Sequence, residues 1–341
     1  MNSLVFNYYC TSMTKERNTT IDFLRGLAVV LMILIHATAY FLSDPVVKNI
    51  WDYTHFAVPL FVFCSAFIFF AKDSITTLSF SYIWKRLKRL ILPYYFFLIP
   101  FFILVLIDNP QSFNIRQVME KLFLSGGRDL NWLVILFIYF LFLIPIIHFM
   151  YRKKKWLFYI LSSTAFVSSI LFLFYIPPVP FRFVMWLPWT FFLVFALLFT
   201  EQKKNNYFFI GTVILSALAF FITRDILQAQ GKTLVLTENK YPPNLYYLSY
   251  GIFFTTVMYY IHRLCSGNIF YKKYLQLPFD FLSVNSYSLF FIHFLFVKIF
   301  VDSGAYKNMG PWLFFAVLMI LAILVQISIN NAQKHLISSR H

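Results

Sequence analysis

The sequence predicts an all-α integral membrane protein with about ten transmembrane helices and both termini in the cytoplasm. Of its 341 residues, 60% are hydrophobic, 22% are aromatic and only 12% are charged. A water-soluble core cannot enclose so much apolar surface behind so few charges. Apolar runs of roughly 18 to 22 residues recur along the whole chain, and a helix of that length crosses the hydrocarbon layer. Successive loops alternate between few and many Lys and Arg residues, which indicates how the helices are oriented across the membrane.

The apolar runs define one membrane domain, residues 21–330, between cytoplasmic tails 1–20 and 331–341. Thr19 and Thr20, followed by Asp22, form a helix start with an acidic first turn. We therefore expect a retained signal anchor and no soluble domain. The predicted spans are residues 21–42, 52–71, 90–107, 131–151, 156–176, 183–200, 207–223, 244–262, 279–300 and 311–330.

The positions of the basic residues predict which loops face the cytoplasm. Both tails and the four loops on their side hold 18 of the 29 Lys and Arg residues, whereas the five opposite loops hold nine. Because the cytoplasmic side retains the excess of positive charge, we expect a multi-pass protein of the cell membrane with both termini in the cytoplasm. The net charge of +16 follows from this asymmetry and from attraction to anionic membrane lipids, so no nucleic-acid partner is expected.

The first predicted span carries three ionisable residues, Asp22, Arg25 and His36. Such residues are costly within a membrane and usually face the interior of the bundle. Eleven residues at about 100° each return to within roughly 20°, so Arg25 and His36 share one helix face and lie about 16 Å apart along the axis. Two interpretations stay open at this point. In the first, Arg25 extends to the lipid headgroups, paired with Asp22, and His36 is a hydrogen-bonded interior polar residue. In the second, Arg25 and His36 on this helix face take part in a reaction.

Two further segments carry polar residues of interest. In the ninth predicted span, His293 follows Ser286 and Tyr287, and it is either a packing residue or a functional one. Residues 82–90 alternate basic and apolar side chains at helical spacing and include Arg86 and Arg89. This segment is either an amphipathic helix in the headgroup plane or an anion site for a phosphorylated donor.

Several segments, taken in order, resemble the membrane acyltransferase 3 family, whose members transfer acyl groups, commonly acetyl or succinyl, to surface glycans. The layout is similar to the exopolysaccharide O-succinyl- or O-acetyltransferase type without an extra soluble domain. Ala66 and Phe294 stand where the family commonly has Gly and Pro. The resembling segments are Asp22 to Ala28 with His36 separated from Arg25 by ten residues, Pro59 to Phe67 with Ser65, Lys85 to Tyr94, Asn131-Trp132-Leu133 with Tyr139, and Ser286-Tyr287 to His293. The resemblance also implies a bacterial cell membrane.

The resemblance implies an O-acyltransferase that moves an acetyl or succinyl group from a cytoplasmic acyl-CoA to a hydroxyl of a surface or wall glycan. An imidazole, with an unperturbed pKa of about 6.5, suits removal of the hydroxyl proton, so His36 is the predicted base. Arg25 is the predicted contact to the phosphates or the carbonyl oxygen of the donor. The expected supporting or substrate-binding residues are Asp22, Ser65, Arg86, Arg89, Trp132, Ser286, Tyr287 and His293.

The resemblance also implies which ligands to expect, and one competing function stays open. Acetyl-CoA or succinyl-CoA is expected as donor substrate, with no bound cofactor or metal, and the acceptor is a glycan or a lipid-linked glycan. Association with a polysaccharide synthesis complex is open. The alternative is a transporter or flippase for a polysaccharide, a lipid-linked sugar or a small solute. Against it, Asp22 and Asp280 within spans both lie near cytoplasmic ends, and Asp52 is only the first residue of its predicted span. Matched broken helices typical of inverted repeats are also missing from the sequence.

Overall fold

The computed structural model describes residues 18–71, 80–108, 114–125 and 131–338, and in these ranges it contains helices and no strand. Residues 1–17 of the predicted N-terminal tail, residues 72–79 and residues 339–341 lie outside the described part. The helices are α1 (Thr19–Thr38), α2 (Pro45–Tyr53), α3 (Ala57–Phe70), α4 (Phe80–Asp108), α5 (Ile115–Leu122), α6 (Asn131–Lys153), α7 (Lys155–Phe174), α8 (Phe181–Val184), α9 (Trp186–Gln202), α10 (Asn206–Ala229), α11 (Leu245–Cys265), α12 (Gln276–Val284), α13 (Ser286–Asp302) and α14 (Pro311–Ser338).

The predicted class, an all-α membrane protein, is confirmed by these helices. Within the described ranges, eight segments are long and apolar enough to cross a membrane, and a ninth is added if α12 and α13 count as one bent span. α11 has 21 residues but is rich in Tyr and Thr, and it is not among the eight. The count of about ten and the cytoplasmic location of the termini stay predictions.

Three predicted segments differ from the structure. The segment of the span predicted at 279–300 is not one straight helix, because the helices on either side of Asn285 meet at 81°. The side-chain amide of Asn285 donates to the Phe281 carbonyl at 2.8 Å, which competes with helical pairing. The span at 52–71 is divided into α2 and α3 by a 3₁₀ turn, Thr54–Phe56. The basic segment 82–90 is the beginning of the continuous helix α4 and not a separate helix.

α1 lies at the centre of the bundle and packs against α3, α11, α12, α13 and α14. The buried residues Leu24, Ala28 and Met32 fill these contacts. Gly26 permits the approach of α12: a Cβ atom there would lie 2.8 Å from Phe279 Cδ1 and 2.9 Å from the Phe279 backbone oxygen. This contact holds α1 closely against α12, which leads through the bend into α13.

Candidate active site

The two predicted catalytic residues lie on one uninterrupted helix. The Asn18 side chain caps α1 by accepting a hydrogen bond from the Ile21 backbone N–H at 3.2 Å, and the helix then runs to Thr38 without a break. Arg25 is in its second turn and His36 is in its last turn. Because α1 is continuous, the offset of eleven positions from Arg25 to His36 corresponds to about 16 Å along the axis, as the spacing predicts.

α13 brings a second imidazole to His36. Nε2 of His293 lies 3.3 Å from Nδ1 of His36, and the two ring centroids are 5.2 Å apart. His293 is fully buried, whereas His36 is partly accessible. The sequence separates these residues by 257 positions, so the tertiary structure creates the pair.

Hydrogen bonds to backbone carbonyls determine the tautomer of each neutral imidazole. Nδ1 of His36 lies 2.6 Å from the Met32 oxygen, and Nδ1 of His293 lies 3.0 Å from the Leu289 oxygen. A carbonyl oxygen can only accept, so each Nδ1 carries the proton. Nε2 of His293 is then an acceptor for the proton on His36 Nδ1. Nε2 of His36 consequently keeps its lone pair and is the basic atom of the pair.

An aromatic wall restricts the orientation of both imidazoles. The Phe294 ring centroid is 4.3 Å from that of His36 and 4.4 Å from that of His293. The Phe290 ring lies edge-on to His293 at 5.8 Å. Both phenylalanines follow from the pitch of α13, which presents residues 290, 293 and 294 on one face. The rings are therefore held by packing as well as by hydrogen bonds.

His36 forms part of the wall of a cavity of about 260 Å³. Apolar side chains line most of it, and polar groups line the part near the ends of α1 and α13. There Lys298 forms an ion pair with Asp302, one turn further along α13, and Tyr40 stands one turn after His36. The lining residues are His36, Ala39, Tyr40, Phe101, Phe294, Val297, Lys298, Val301 and Asp302. The cavity thus extends from His36 toward the end of the bundle at which α1 ends.

Arg25 occupies the opposite end of the same helix face. Asp22 accepts a hydrogen bond from the Ser283 hydroxyl at 2.7 Å. Among the described residues, neither a hydrogen bond nor an ion pair engages the Arg25 guanidinium, so the ion pair with Asp22 that one interpretation requires is not formed. The side chain is half-buried. An arginine in this situation can bind a carboxylate, a phosphate or a carbonyl oxygen through several donors.

The other predicted site residues lie elsewhere in the bundle. Of all of them, only His293 makes a hydrogen bond or a ring contact with His36. Ser65 donates to the Phe61 carbonyl within α3 at 3.0 Å, and the Tyr287 hydroxyl donates to the Leu90 carbonyl at 2.8 Å, which ties α13 to α4. Ser286 is buried at the start of α13.

The contacts described for the predicted basic and aromatic residues join them to other parts of the bundle. The Arg86 guanidinium lies 4.9 Å from the Phe69 ring centroid, and Arg89 is exposed near the start of α4. Trp132 is buried, and its ring meets the Tyr241 ring edge-on at 5.0 Å. Arg86 and Arg89 thus belong to the Arg25 end of the bundle, where α4 begins.

Sequence reasoning missed Lys240, which lies in the segment between α10 and α11. Its ammonium lies 4.7 Å from the Tyr241 ring centroid and 5.3 Å from that of Trp132. The residue is buried, and its charge acts electrostatically on both His36 and His55. A basic residue in a polar loop gives no sign that its side chain turns inward, so nothing in the sequence could have indicated this position.

The fold and the site define a multi-pass membrane protein with an imidazole pair, of which His36 lines an open cavity. The sequence model of the acyltransferase 3 family, described as an acyltransferase domain, matches residues 18–330, which is nearly the whole chain. The chain therefore belongs to the acyltransferase 3 family, and this membership supports the activity of a membrane acyltransferase. No match was found among curated proteins or among solved structures.

Proposed function

We propose that this chain is an O-acyltransferase that moves an acetyl or succinyl group from acyl-CoA on the cytoplasmic side to a hydroxyl of a surface or wall glycan. One observation carries the proposal. Hydrogen bonds to Met32 and His293 keep the proton of His36 on Nδ1, so Nε2 is a base in a residue that lines a cavity. The fixed tautomer makes His36 ready to accept a proton without rearrangement.

In the proposed reaction, the glycan hydroxyl oxygen attacks the carbonyl carbon of the thioester while Nε2 of His36 takes the hydroxyl proton. A carbon–oxygen bond forms and the carbon–sulfur bond breaks. The sulfur of CoA leaves with the bonding electrons and receives the proton from His36, so that CoA is released as a thiol and the imidazole is neutral again. Base catalysis of this kind contributes about 10² to 10⁴-fold to the rate.

The donor is proposed to enter from the Arg25 end. The guanidinium can bind donor phosphates or the carbonyl oxygen, and its axial offset of about 16 Å from His36 is comparable to an extended pantetheine arm. Arg86 and Arg89 lie near the start of α4 at the same end. Together these positive charges favour the phosphates of acyl-CoA there, while the acyl group reaches the middle of the bundle.

The acceptor is proposed to enter from the other end, past Tyr40 and the Lys298–Asp302 ion pair. The cavity of about 260 Å³ lies just below the roughly 300 to 1,000 Å³ of sites for drug-sized ligands. It therefore suits one sugar unit of an acceptor and not a folded chain of sugars. The apolar walls can contact the faces of a sugar ring while a hydroxyl points at His36.

The test is acyl transfer in proteoliposomes that contain the purified protein. Label from acetyl-CoA or succinyl-CoA should appear on added glycan, and His36→Ala should lower this transfer by about 10² to 10⁴-fold per inserted molecule. Expression and thermal stability are measured on the same samples, so that loss of protein is separated from loss of chemistry. Near-wild-type turnover by His36→Ala, or movement of glycan without acylation, would contradict the proposal.

The acceptor is tested in cells by mass spectrometry of surface polymers with and without the gene. Loss of an acyl group from one glycan fraction, restored by the wild-type gene but not by His36→Ala, identifies the acceptor. An unchanged acylation pattern in every glycan fraction would remove a surface or wall glycan as the acceptor.

A further inference from the structure

A second cavity lies at the end of the bundle at which α1 ends, between α2, α10 and the segment that connects α10 to α11. Its volume is about 340 Å³, and none of the residues that line it also lines the His36 cavity. Three charged residues, Lys48, Asp52 and Arg224, share its wall with several aromatic rings. The mechanism proposed above uses none of these side chains.

Hydrogen bonds and ring contacts hold the wall of this cavity in place. A carboxylate oxygen of Asp52 accepts a hydrogen bond from the Leu236 backbone N–H at 2.8 Å. The Tyr246 hydroxyl donates to the Leu234 carbonyl at 3.0 Å, and its ring stacks on Phe220 with centroids 4.9 Å apart and planes at 15°. A preformed wall reduces the entropy lost when a ligand is ordered against it.

The charges of the cavity favour an anionic ligand. Lys48 and Arg224 are exposed, and among the described residues no ion pair engages either of them. Among the residues that line the cavity, Lys48 and Arg224 are positive and Asp52 is negative. Glu238, a second carboxylate that acts electrostatically on Asp52, is not part of the lining, so the two exposed positive charges are the groups that an anion can reach from the cavity. Arg recognises carboxylate and phosphate groups through paired donors, and Lys attracts them as a point charge.

The remaining lining groups favour a sugar. Aromatic rings offer flat apolar surface, whereas the Asp52 carboxylate has acceptor sites beyond the one that Leu236 uses. A sugar ring presents apolar C–H faces and hydroxyl donors at once, so it can use both kinds of group. Ligand sites typically combine such apolar walls with a few fixed polar groups. We propose that this cavity binds an anionic sugar, with its carboxylate or phosphate at Lys48 and Arg224 and its hydroxyls at Asp52.

The position of the cavity connects it with the acceptor. Trp51 lines the cavity, and its ring meets the ring of buried His55 edge-on at 4.7 Å, so one aromatic layer separates the cavity from the core. The mouth of the His36 cavity is at the same end of the bundle. If the proposed function holds, one unit of a polymeric acceptor is bound here while another unit enters the His36 cavity. The binding energy of the remote unit then helps to position the reacting unit at His36.

The test measures direct binding of small probes to the purified full chain by titration in saturation-transfer NMR. The probes are glucuronic acid and glucose 1-phosphate, compared with glucose and glycerol 3-phosphate. Both anionic sugars should bind saturably and more tightly than glucose. Arg224→Gln should weaken their binding about tenfold, because a hydrogen bond to a charged group is lost. Arg116→Gln is the matched control, since Arg116 is an exposed arginine of α5 outside the cavity, and it should leave binding unchanged.

The outcomes separate this site from the proposed acyl transfer. Equal affinity for glycerol 3-phosphate and glucose 1-phosphate would mean a phosphate or lipid-headgroup site and would overturn the sugar assignment. Absence of saturable binding by both anionic sugars, or equal loss in Arg224→Gln and Arg116→Gln, would overturn it as well. Binding without acyl transfer in proteoliposomes would keep this site and remove the acyltransferase proposal, and transfer without binding would do the reverse.

Discussion

The protonation of His36 depends on two neighbours at the scale of single residues. Met32 supplies the nearer acceptor at 2.6 Å and His293 the further one at 3.3 Å. Met32 belongs to the same helix, so that contact is local. His293 comes from α13, so that contact depends on the fold, and the two ring centroids are 5.2 Å apart. We therefore regard His293 as a positioning residue that acts through His36.

This role predicts different effects for two substitutions of His293. His293→Leu removes the acceptor for the His36 proton and should lower kcat about three- to tenfold, since one neutral hydrogen bond contributes about 0.5–1.5 kcal/mol. His293→Gln supplies a carbonyl oxygen near the position of Nε2 and should recover most of that loss. The measurement is kcat and KM for acyl transfer across pH in both variants. Equal kcat values for Leu and Gln would show that the hydrogen bond is not what matters.

Arg25 provides a second prediction at this scale. Arg25→Lys keeps the positive charge but loses the planar arrangement of donors, so the KM for acyl-CoA should rise about tenfold through the loss of a charge-assisted hydrogen bond. The matched control is Arg152→Lys, because Arg152 forms an ion pair with Glu201 at 2.9 Å near the end of α6 and exposed pairs contribute little. An unchanged KM for Arg25→Lys would favour a headgroup anchor, which a lysine serves equally well.

Helix packing supports the site at the scale of elements. α1 approaches α12 at Gly26, and α12 leads through the bend at Asn285 into α13, which carries His293. The Asn285 amide is held on both sides, since it donates to Phe281 and its oxygen accepts from Asn330 of α14 at 3.3 Å. The distance between the two imidazoles therefore depends on how closely α1 and α12 pack.

The contact at Gly26 gives a prediction with an internal control. Gly26→Ala should destabilise the protein by about 1–3 kcal/mol, as overpacking of a tight interface does, because the new methyl group meets the Phe279 backbone oxygen at 2.9 Å. Gly211→Ala in α10 meets nothing within 4 Å, and it should be neutral or slightly stabilising, since Ala is the better helix former.

Thermal unfolding of both glycine variants in the same detergent is the measurement. A lower Tm for Gly26→Ala together with an unchanged or higher Tm for Gly211→Ala is expected. Equal Tm values for the two variants would mean that α1 and α12 are not as close as described.

For the whole molecule, the charge asymmetry of 18 to nine basic residues predicts which ends of the helices face the cytoplasm. In a variant without native cysteines, a cysteine at Lys153 or Lys203 should be protected from a membrane-impermeant reagent in intact cells. A cysteine at exposed Lys307, between α13 and α14, should react. Labelling at position 153 or 203 before lysis would overturn the orientation, and with it the proposed entry of the donor from the Arg25 end.

The sequence determined the class of the protein, because apolar length and composition respond to the membrane and not to particular neighbours. It also predicted the alignment of Arg25 and His36, since helical pitch is local arithmetic. The predicted spans 131–151, 156–176 and 244–262 agree with α6, α7 and α11 to within three residues at each end, whereas the ends of several others differ by more. The family was recognised from several short segments in order, none of which depends on a contact between distant residues.

Only the tertiary structure decided which polar residues meet. The pairing of His36 with His293, the inward position of Lys240 and the cavity beside Arg224 all join residues far apart in the chain. Local patterns cannot predict them, because such contacts depend on how helices turn and approach one another. The bend at Asn285 could not be predicted from the sequence either, because a continuous apolar run has the composition of a span whether its helix is straight or broken. Hydrophobicity is non-directional, so directional contacts had to come from the folded bundle.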